Sequence, residues 1–220
     1  MYSKKDDFVL TGNKYELPEA IEGCKGMNLG GHQVRSILLS TDLSYILNLK
    51  ADAIMVINPF EKSEHLNKAI TSLSKKPVLC DIGGGFLKEE LTIKLSKSAF
   101  EFGAAGVVIS KPTSYITIQK IRDQISGPLI YTVMFAEEKF SELAGAGVDI
   151  FNVSTGETTA ETVAEIRSEF PEIPIMANGG PYDSTIYETI ENGADAIVFN
   201  PPTATEMLRS IFDGYRINRG

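Results

Sequence analysis

The sequence predicts a (β/α)8 barrel, eight parallel strands closed into a ring with a helix after each. Three observations predict it. Short apolar runs alternate with longer amphipathic stretches through most of the 220 residues. The apolar runs number eight. A two-strand unit recurs along the chain, which suits a closed ring better than the alternative, a doubly wound open sheet.

The expected strands are "RSILLS" (35–40), "AIMVIN" (53–58), "PVLCDI" (77–82), "GVVIS" (106–110), "LIYTVMF" (129–135), "DIFNVS" (149–154), "IPIMAN" (173–178) and "AIVFN" (196–200). They are rich in β-branched residues and mostly lack apolar–polar alternation, the pattern of strands covered on both faces. Helices are expected between them, in stretches such as "EKSEHLNKAITSLSKK", "KEELTIKLSKSAFEFG" and "YDSTIYETIENG". In the second of these, Leu91, Leu95 and Phe102 fall on one face. Gly103, Gly145 and Gly193 stand where helix C-termini are expected.

The recurring unit opens the second, fourth, sixth and eighth strands. It reads Asp52-Ala53-Ile54, Ala105-Gly106-Val107, Asp149-Ile150-Phe151 and Asp195-Ala196-Ile197, at intervals of 53, 44 and 46 residues. The small residues before each unit would let a helix end pack tightly on the next strand. Residues 35–220 are therefore assigned to the barrel. Residues 1–34, rich in glycine and turn formers, are assigned to an N-terminal extension covering it, as a short hairpin or helix.

Composition narrows the function classes. The net charge is −8, which repels a phosphate backbone and argues against nucleic acid as a general partner. Two isolated cysteines and two histidines make a Cys/His zinc site improbable and suit a reducing cytoplasm. No secretory signal pattern opens the sequence, and no apolar run reaches bilayer-spanning length. A cytoplasmic, soluble, self-associating protein is expected, with no membrane partner, no metal and no cofactor.

Function in a parallel α/β barrel collects at the C-terminal strand ends. Polar groups and glycines stand at nearly every one here: Asp42, Asn58, Asp81, Ser110-Lys111, Asn152, Ser154-Thr155-Gly156, Asn178-Gly179-Gly180 and Asn200-Pro201-Pro202-Thr203. The pair Gly179-Gly180 poses the central question. Glycine amides can converge on a phosphate without Cβ obstruction, but a strand-to-helix turn can need glycine for its own geometry.

From the fourth strand to the eighth, the chain resembles the ribulose-phosphate-binding barrels and their class I aldolase relatives. That group includes phosphosugar epimerases, indole-glycerol-phosphate synthases, thiazole synthases and 2-keto-3-deoxy-6-phosphogluconate aldolases. The resemblance is strongest in "IPIMANGGPYDSTIYETIENGADAIVFN". It implies that Gly179 and Gly180 present phosphate amides, assisted by Ser154, Thr155 and Gly156. Three departures stand out. The eighth strand is followed by Asn200-Pro201-Pro202-Thr203 where those relatives have a glycine step, and proline has no N–H to donate. The third strand ends Asp81-Ile82-Gly83 and lacks the lysine and second aspartate of the epimerases and decarboxylases. The sixth strand has Asn152 and Ser154 where related aldolases carry a lysine.

Asp81 is the leading acid/base candidate, as a carboxylate ending a buried strand beside three glycines. The competing reading is a carboxylate that caps its own glycine loop. Lys111 is a Schiff-base candidate by position, but if Gly106 and Ser110 face the lumen then Lys111 faces away. Asp42 is either catalytic or a helix N-cap. The expected function is a lyase or isomerase acting on a small phosphorylated metabolite. Asn178, Asn200 and Thr203 join the loop residues in binding it. The alternatives are a ligand-sensing barrel without catalysis and an enzyme on an unphosphorylated substrate held by the asparagines.

Overall fold

The structure is a computed structural model and describes residues 17–57, 64–83, 87–180 and 182–217. A 3-10 turn (Glu19–Gly23) leads into an antiparallel hairpin of β1 (Met27–Leu29) and β2 (His32–Val34). The barrel follows as β3 (Ser36–Leu39), α1 (Leu43–Asn48), β4 (Ala53–Val56), α2 (Glu64–Leu73), β5 (Val78–Asp81), α3 (Glu89–Glu101), β6 (Gly106–Ser110) and α4 (Tyr115–Arg122). It continues as β7 (Leu129–Val133), α5 (Phe140–Gly145), β8 (Ile150–Val153), α6 (Thr159–Glu169), β9 (Ile175–Asn178), α7 (Asp183–Glu191), β10 (Ala196–Phe199) and α8 (Ala204–Ile217).

Strands β3 to β10 are parallel and pair in sequence order, and β10 returns to β3, so the ring is closed. The fold is the (β/α)8 barrel that the eight apolar runs predict. Asn58, Gly84, Gly85 and Pro181 lie outside the described residues.

Alternation along each strand sorts the side chains into two layers. Ile37, Met55, Leu79, Val108, Ile130, Ile150, Met176 and Val198 point into the lumen, and Leu38, Ile54, Cys80, Val107, Tyr131, Phe151 and Ile197 face the helices. Gly106 also points inward, where an added Cβ would meet Ile130 and Leu79 at 3.0 Å. The hairpin supplies the floor: Met27, Leu29 and Val34 are buried in the same cluster as the inward layer.

Helix ends and faces differ in detail from expectation. On α3 the buried line is Thr92, Ser96 and Ala99, and Leu91 is exposed. Gly103 and Gly193 have positive φ after their helices, but after α5 that role falls to Gly147 rather than Gly145.

The recurring unit at the even strands is an electrostatic joint. Asp195 Oδ2 accepts the Ile175 amide at 2.9 Å and the Arg167 guanidinium at 2.7 Å, tying the start of β10 to the start of β9. Asp149 accepts the Leu129 amide at 2.8 Å and pairs with Arg122, tying β8 to β7. Asp52 accepts the amides of Arg35 and Ser36 at 2.9 and 3.0 Å, with no arginine paired to it among the described residues. The glycine two residues before Asp149 and Asp195 makes room for the arginine. A Cβ on Gly147 would meet Arg122 Cγ at 2.6 Å, and one on Gly193 would meet Arg167 Cγ at 2.9 Å. At Ala105 there is no carboxylate, and the joint is only the Ala105 amide on the Val78 carbonyl.

Candidate active site

The same alternation fixes which residues reach the mouth. Inward Leu79, Val108, Ile130, Ile150 and Met176 put Asp81, Ser110, Thr132, Asn152 and Asn178 over the lumen at the next inward position. An apolar barrel thus ends in a polar layer at its C-terminal rim.

Two cross-strand pairs order that layer. Asn152 Nδ2 donates to Thr132 Oγ1 at 3.0 Å, and Asn178 Nδ2 donates to Ser154 Oγ at 2.6 Å. Each hydroxyl accepts an amide hydrogen there, so its own proton is left to donate elsewhere. Asn152 is 1% exposed, and its Oδ1 has no hydrogen-bond partner among the described residues. That buried carbonyl oxygen is open to accept from a bound water or ligand hydroxyl.

Asp81 ends β5, four strands around the ring from β9 and so across the lumen from Asn178. Its Oδ1 accepts the Gly83 amide at 3.1 Å, and its main-chain carbonyl accepts from Asn67 Nδ2 at 3.2 Å. The carboxylate is half-buried and oriented by its own glycine turn.

Lys111 is not in the lumen. Its Nζ lies 3.7 Å from Glu138 Oε2 and 5.1 Å from the centre of the Phe135 ring. Glu138 is buried on the helix-facing side of β7, where Oε2 accepts from Tyr131 Oη at 2.8 Å. Its Oε1 accepts the amides of Met134 and Phe135 at 3.0 and 3.3 Å. Burial, with the hydrogen bond to Glu138 second, pushes the Tyr131 phenol far above its ordinary value of 10.0. This cluster holds the loop between β7 and α5. Sequence reasoning missed it, because a lone glutamate in a polar loop carries no periodic signal.

Asp42 and Thr203 meet at the start of α8. Asp42 Oδ1 accepts the Ser44 amide at 2.9 Å, the N-cap of α1, and Oδ2 accepts the Ala204 amide at 3.1 Å. Thr203 caps α8: its Oγ1 accepts the Glu206 amide at 3.2 Å, and Glu206 Oε2 accepts the Thr203 amide at 2.9 Å. That is a capping box. The amides of Ala204 and Glu206, two of three that could have faced a phosphate after the double proline, are thus taken by the protein's own oxygens.

Both glycines after β9 have structural reasons. A Cβ on Gly179 would meet Ile186 Cγ1 at 2.7 Å and its Cα at 3.2 Å, so α7 packs against bare backbone. Gly180 has φ +79°, in the left-handed region that favours glycine. On the neighbouring loop, Gly156 has φ +71° with open space around it, and Thr155 Oγ1 lies 3.1 Å from Thr162 Oγ1. Asn200 is exposed on the rim. Among the described residues no three His, Cys, Asp or Glu side chains stand close enough to hold a metal ion, and no helix is long and apolar enough to cross a membrane. A hollow of about 350 Å³ lined by Leu29, His32, Lys76 and Gly103 lies at the opposite end, away from this mouth.

Among solved structures, an aldolase designated QR15 superposes with a TM-score of 0.59 at 23% identity, over 84% of this chain and 98% of that one. Phosphonopyruvate hydrolase in complex with oxalate and Mg++ superposes with a TM-score of 0.65 at 13% identity, over 87% of this chain and 85% of that one. 2,3-Dimethylmalate lyase, a member of the PEP mutase/isocitrate lyase superfamily, superposes with a TM-score of 0.62 at 14% identity, over 92% and 86%. The superpositions show a shared (β/α)8 architecture. No protein-family model and no curated protein sequence matches the chain.

Proposed function

We propose that the protein is a small-molecule lyase or isomerase whose substrate carries hydroxyl and carbonyl groups and is held without a dedicated phosphate nest. The observation behind this reading is the polar layer itself: Asp81 on one side of the lumen, the Asn152–Thr132 and Asn178–Ser154 pairs on the other. In a retro-aldol reaction Asp81 takes the proton of a substrate hydroxyl. The neighbouring carbon–carbon bond breaks, and its electron pair passes to the carbonyl to give an enolate. Thr132 and Ser154 donate to that oxyanion, and Asp81 returns its proton to the enolate carbon. Asn152 Oδ1 accepts from a further hydroxyl. No described lysine lies at an inward position, which argues against a Schiff base. The names of the superposed proteins, an aldolase and a lyase among them, agree with carbon–carbon bond chemistry.

A phosphorylated substrate is the second reading. Gly156 and Gly180 favour it, as positive-φ glycines on neighbouring loops of one rim beside Ser154 and Thr155. Against it, the Asp42 carboxylate occupies the Ala204 amide and the Thr203 hydroxyl occupies the Glu206 amide at the start of α8.

A thermal-shift panel of small hydroxy and oxo acids, sugars and their phosphate esters separates the readings, with turnover measured for every compound that stabilises. The first reading expects unphosphorylated compounds to bind and react. It also expects Asp81→Asn to keep the thermal shift while losing about a hundredfold or more in rate. Stabilisation by phosphate esters only would overturn it in favour of the second. A ligand that stabilises and never reacts would assign the barrel to sensing.

A further inference from the structure

Helix α8 carries two apolar stripes, and only one is used. Ala204 and Met207 seat it against the core. Leu208, Phe212 and Tyr215, spaced i, i+4 and i+7, face away and are 51%, 53% and 68% exposed. Leu43 and Leu47 on one face of α1 are exposed as well, and the Asp42–Ala204 hydrogen bond joins the starts of the two helices. Neighbouring exposed apolar side chains on this scale mark an interaction surface.

The charges beside the stripe indicate what covers it. By helical spacing Arg209, Asp213 and Arg216 lie on one flank of Leu208, Phe212 and Tyr215. Counted from Ile211, Arg209 and Asp213 each stand two residues away, with opposite signs. When two copies of α8 pack antiparallel about a twofold axis through Ile211, each residue faces its counterpart at the same distance on the other side. Arg209 then meets the partner's Asp213, and Asp213 meets the partner's Arg209. Parallel packing would carry the charged flanks to opposite sides of the seam and leave them without crossed pairs. Asp213 and Arg216 already pair within the helix at 2.8 Å, so the crossed pairs would extend an existing charge row. The same register drops Leu208 between the partner's Phe212 and the partner's Tyr215, so the stripes interlock. A lipid surface fits poorly, because the flank carries both signs and the chain carries −8 overall.

We propose that α8 and α1 form the seam of a twofold homodimer in which α8 lies antiparallel to its copy about Ile211. Light scattering on the eluting full chain at micromolar concentration should give about twice the chain mass of 24.0 kDa. Phe212→Glu should give the single-chain mass with unchanged circular dichroism. Arg209→Asp and Asp213→Arg should each weaken dimerisation at least about tenfold, and the double variant should recover most of that loss. Both charge positions lie on the open flank, so they decide the matter even if Phe212→Glu fails to fold. A wild type of single-chain mass overturns the proposal, including one that binds anionic vesicles instead. So does a dimer indifferent to the Arg209 and Asp213 reversals, or a double variant with no recovery.

Discussion

Glu138 is a buried carboxylate that holds four donors: the Tyr131 hydroxyl, the amides of Met134 and Phe135, and the half-exposed Lys111 ammonium. Removing the acceptor strands the donors in a dry place, so Glu138→Ala should cost about 3–5 kcal/mol in urea unfolding. Lys111 is 48% exposed, and Lys111→Met should cost no more than about 1 kcal/mol. The reverse order would show that the lysine has a role beyond this ion pair. The glycine pair makes a second residue-scale prediction. Gly179→Ala drives a methyl into Ile186 and should cost about 1–3 kcal/mol. Gly180→Ala sits at φ +79° and should cost about 1–2 kcal/mol. Both losses should appear in denaturant melts without ligand, and equal stability to wild type would reopen the phosphate cradle as the glycines' reason. The turn after β9 was legible as composition. The approach of Ile186 was not, because it is set by how α7 docks rather than by any local pattern.

At the scale of elements, α8 depends on caps from two parts of the chain. Thr203 and Glu206 cap each other locally, which the sequence shows as a threonine three residues before a glutamate. Asp42 caps α1 and reaches 162 residues along the chain to the Ala204 amide. Thr203→Ala should cost about 0.5–2 kcal/mol. Asp42→Ala should cost more, about 1–3 kcal/mol, because two helix starts each lose an acceptor. Amide hydrogen exchange at Ala204 should quicken in Asp42→Ala, and unchanged exchange there would mean that the long-range bond does not form. Of the two sequence readings of Asp42, the geometry shows the cap. The eight strands were legible because burial on both faces leaves continuous β-branched runs. Most of their boundaries were expected one or two residues long, since flanking residues such as Arg35 and Ser154 still share a main-chain hydrogen bond with a neighbouring strand, the Arg35 carbonyl with the Ile197 amide and the Ser154 amide with the Val133 carbonyl, while standing just past the paired register.

For the whole molecule, the repeat that revealed the barrel turned out to hold its lower edge together. The spacing was readable, but its meaning needed the arginines of α4 and α6, which approach Asp149 and Asp195 only in the closed ring. The mouth was legible as a set of strand ends. The pairing of Asn152 with Thr132 and of Asn178 with Ser154 was not, because it depends on strand register. Global stability should also respond to alkali. Burial pushes the Cys24 and Cys80 thiols from 9.0 up to about 11. The unfolded chain therefore loses these protons first as pH rises. Their contribution is full below about pH 9 and is lost as pH climbs through about 11. The melting temperature should fall across that window, and less steeply in Cys80→Ala; parallel profiles would sink this account. One consequence of the hairpin floor concerns traffic. With Met27, Leu29 and Val34 packed under the inward layer, the far end is sealed and the polar rim opens on one side only, so on the proposed reading substrate and products share one doorway. A lyase that splits its substrate at such a rim would empty it in sequence, the fragment nearer the solvent leaving before the one lodged beneath it.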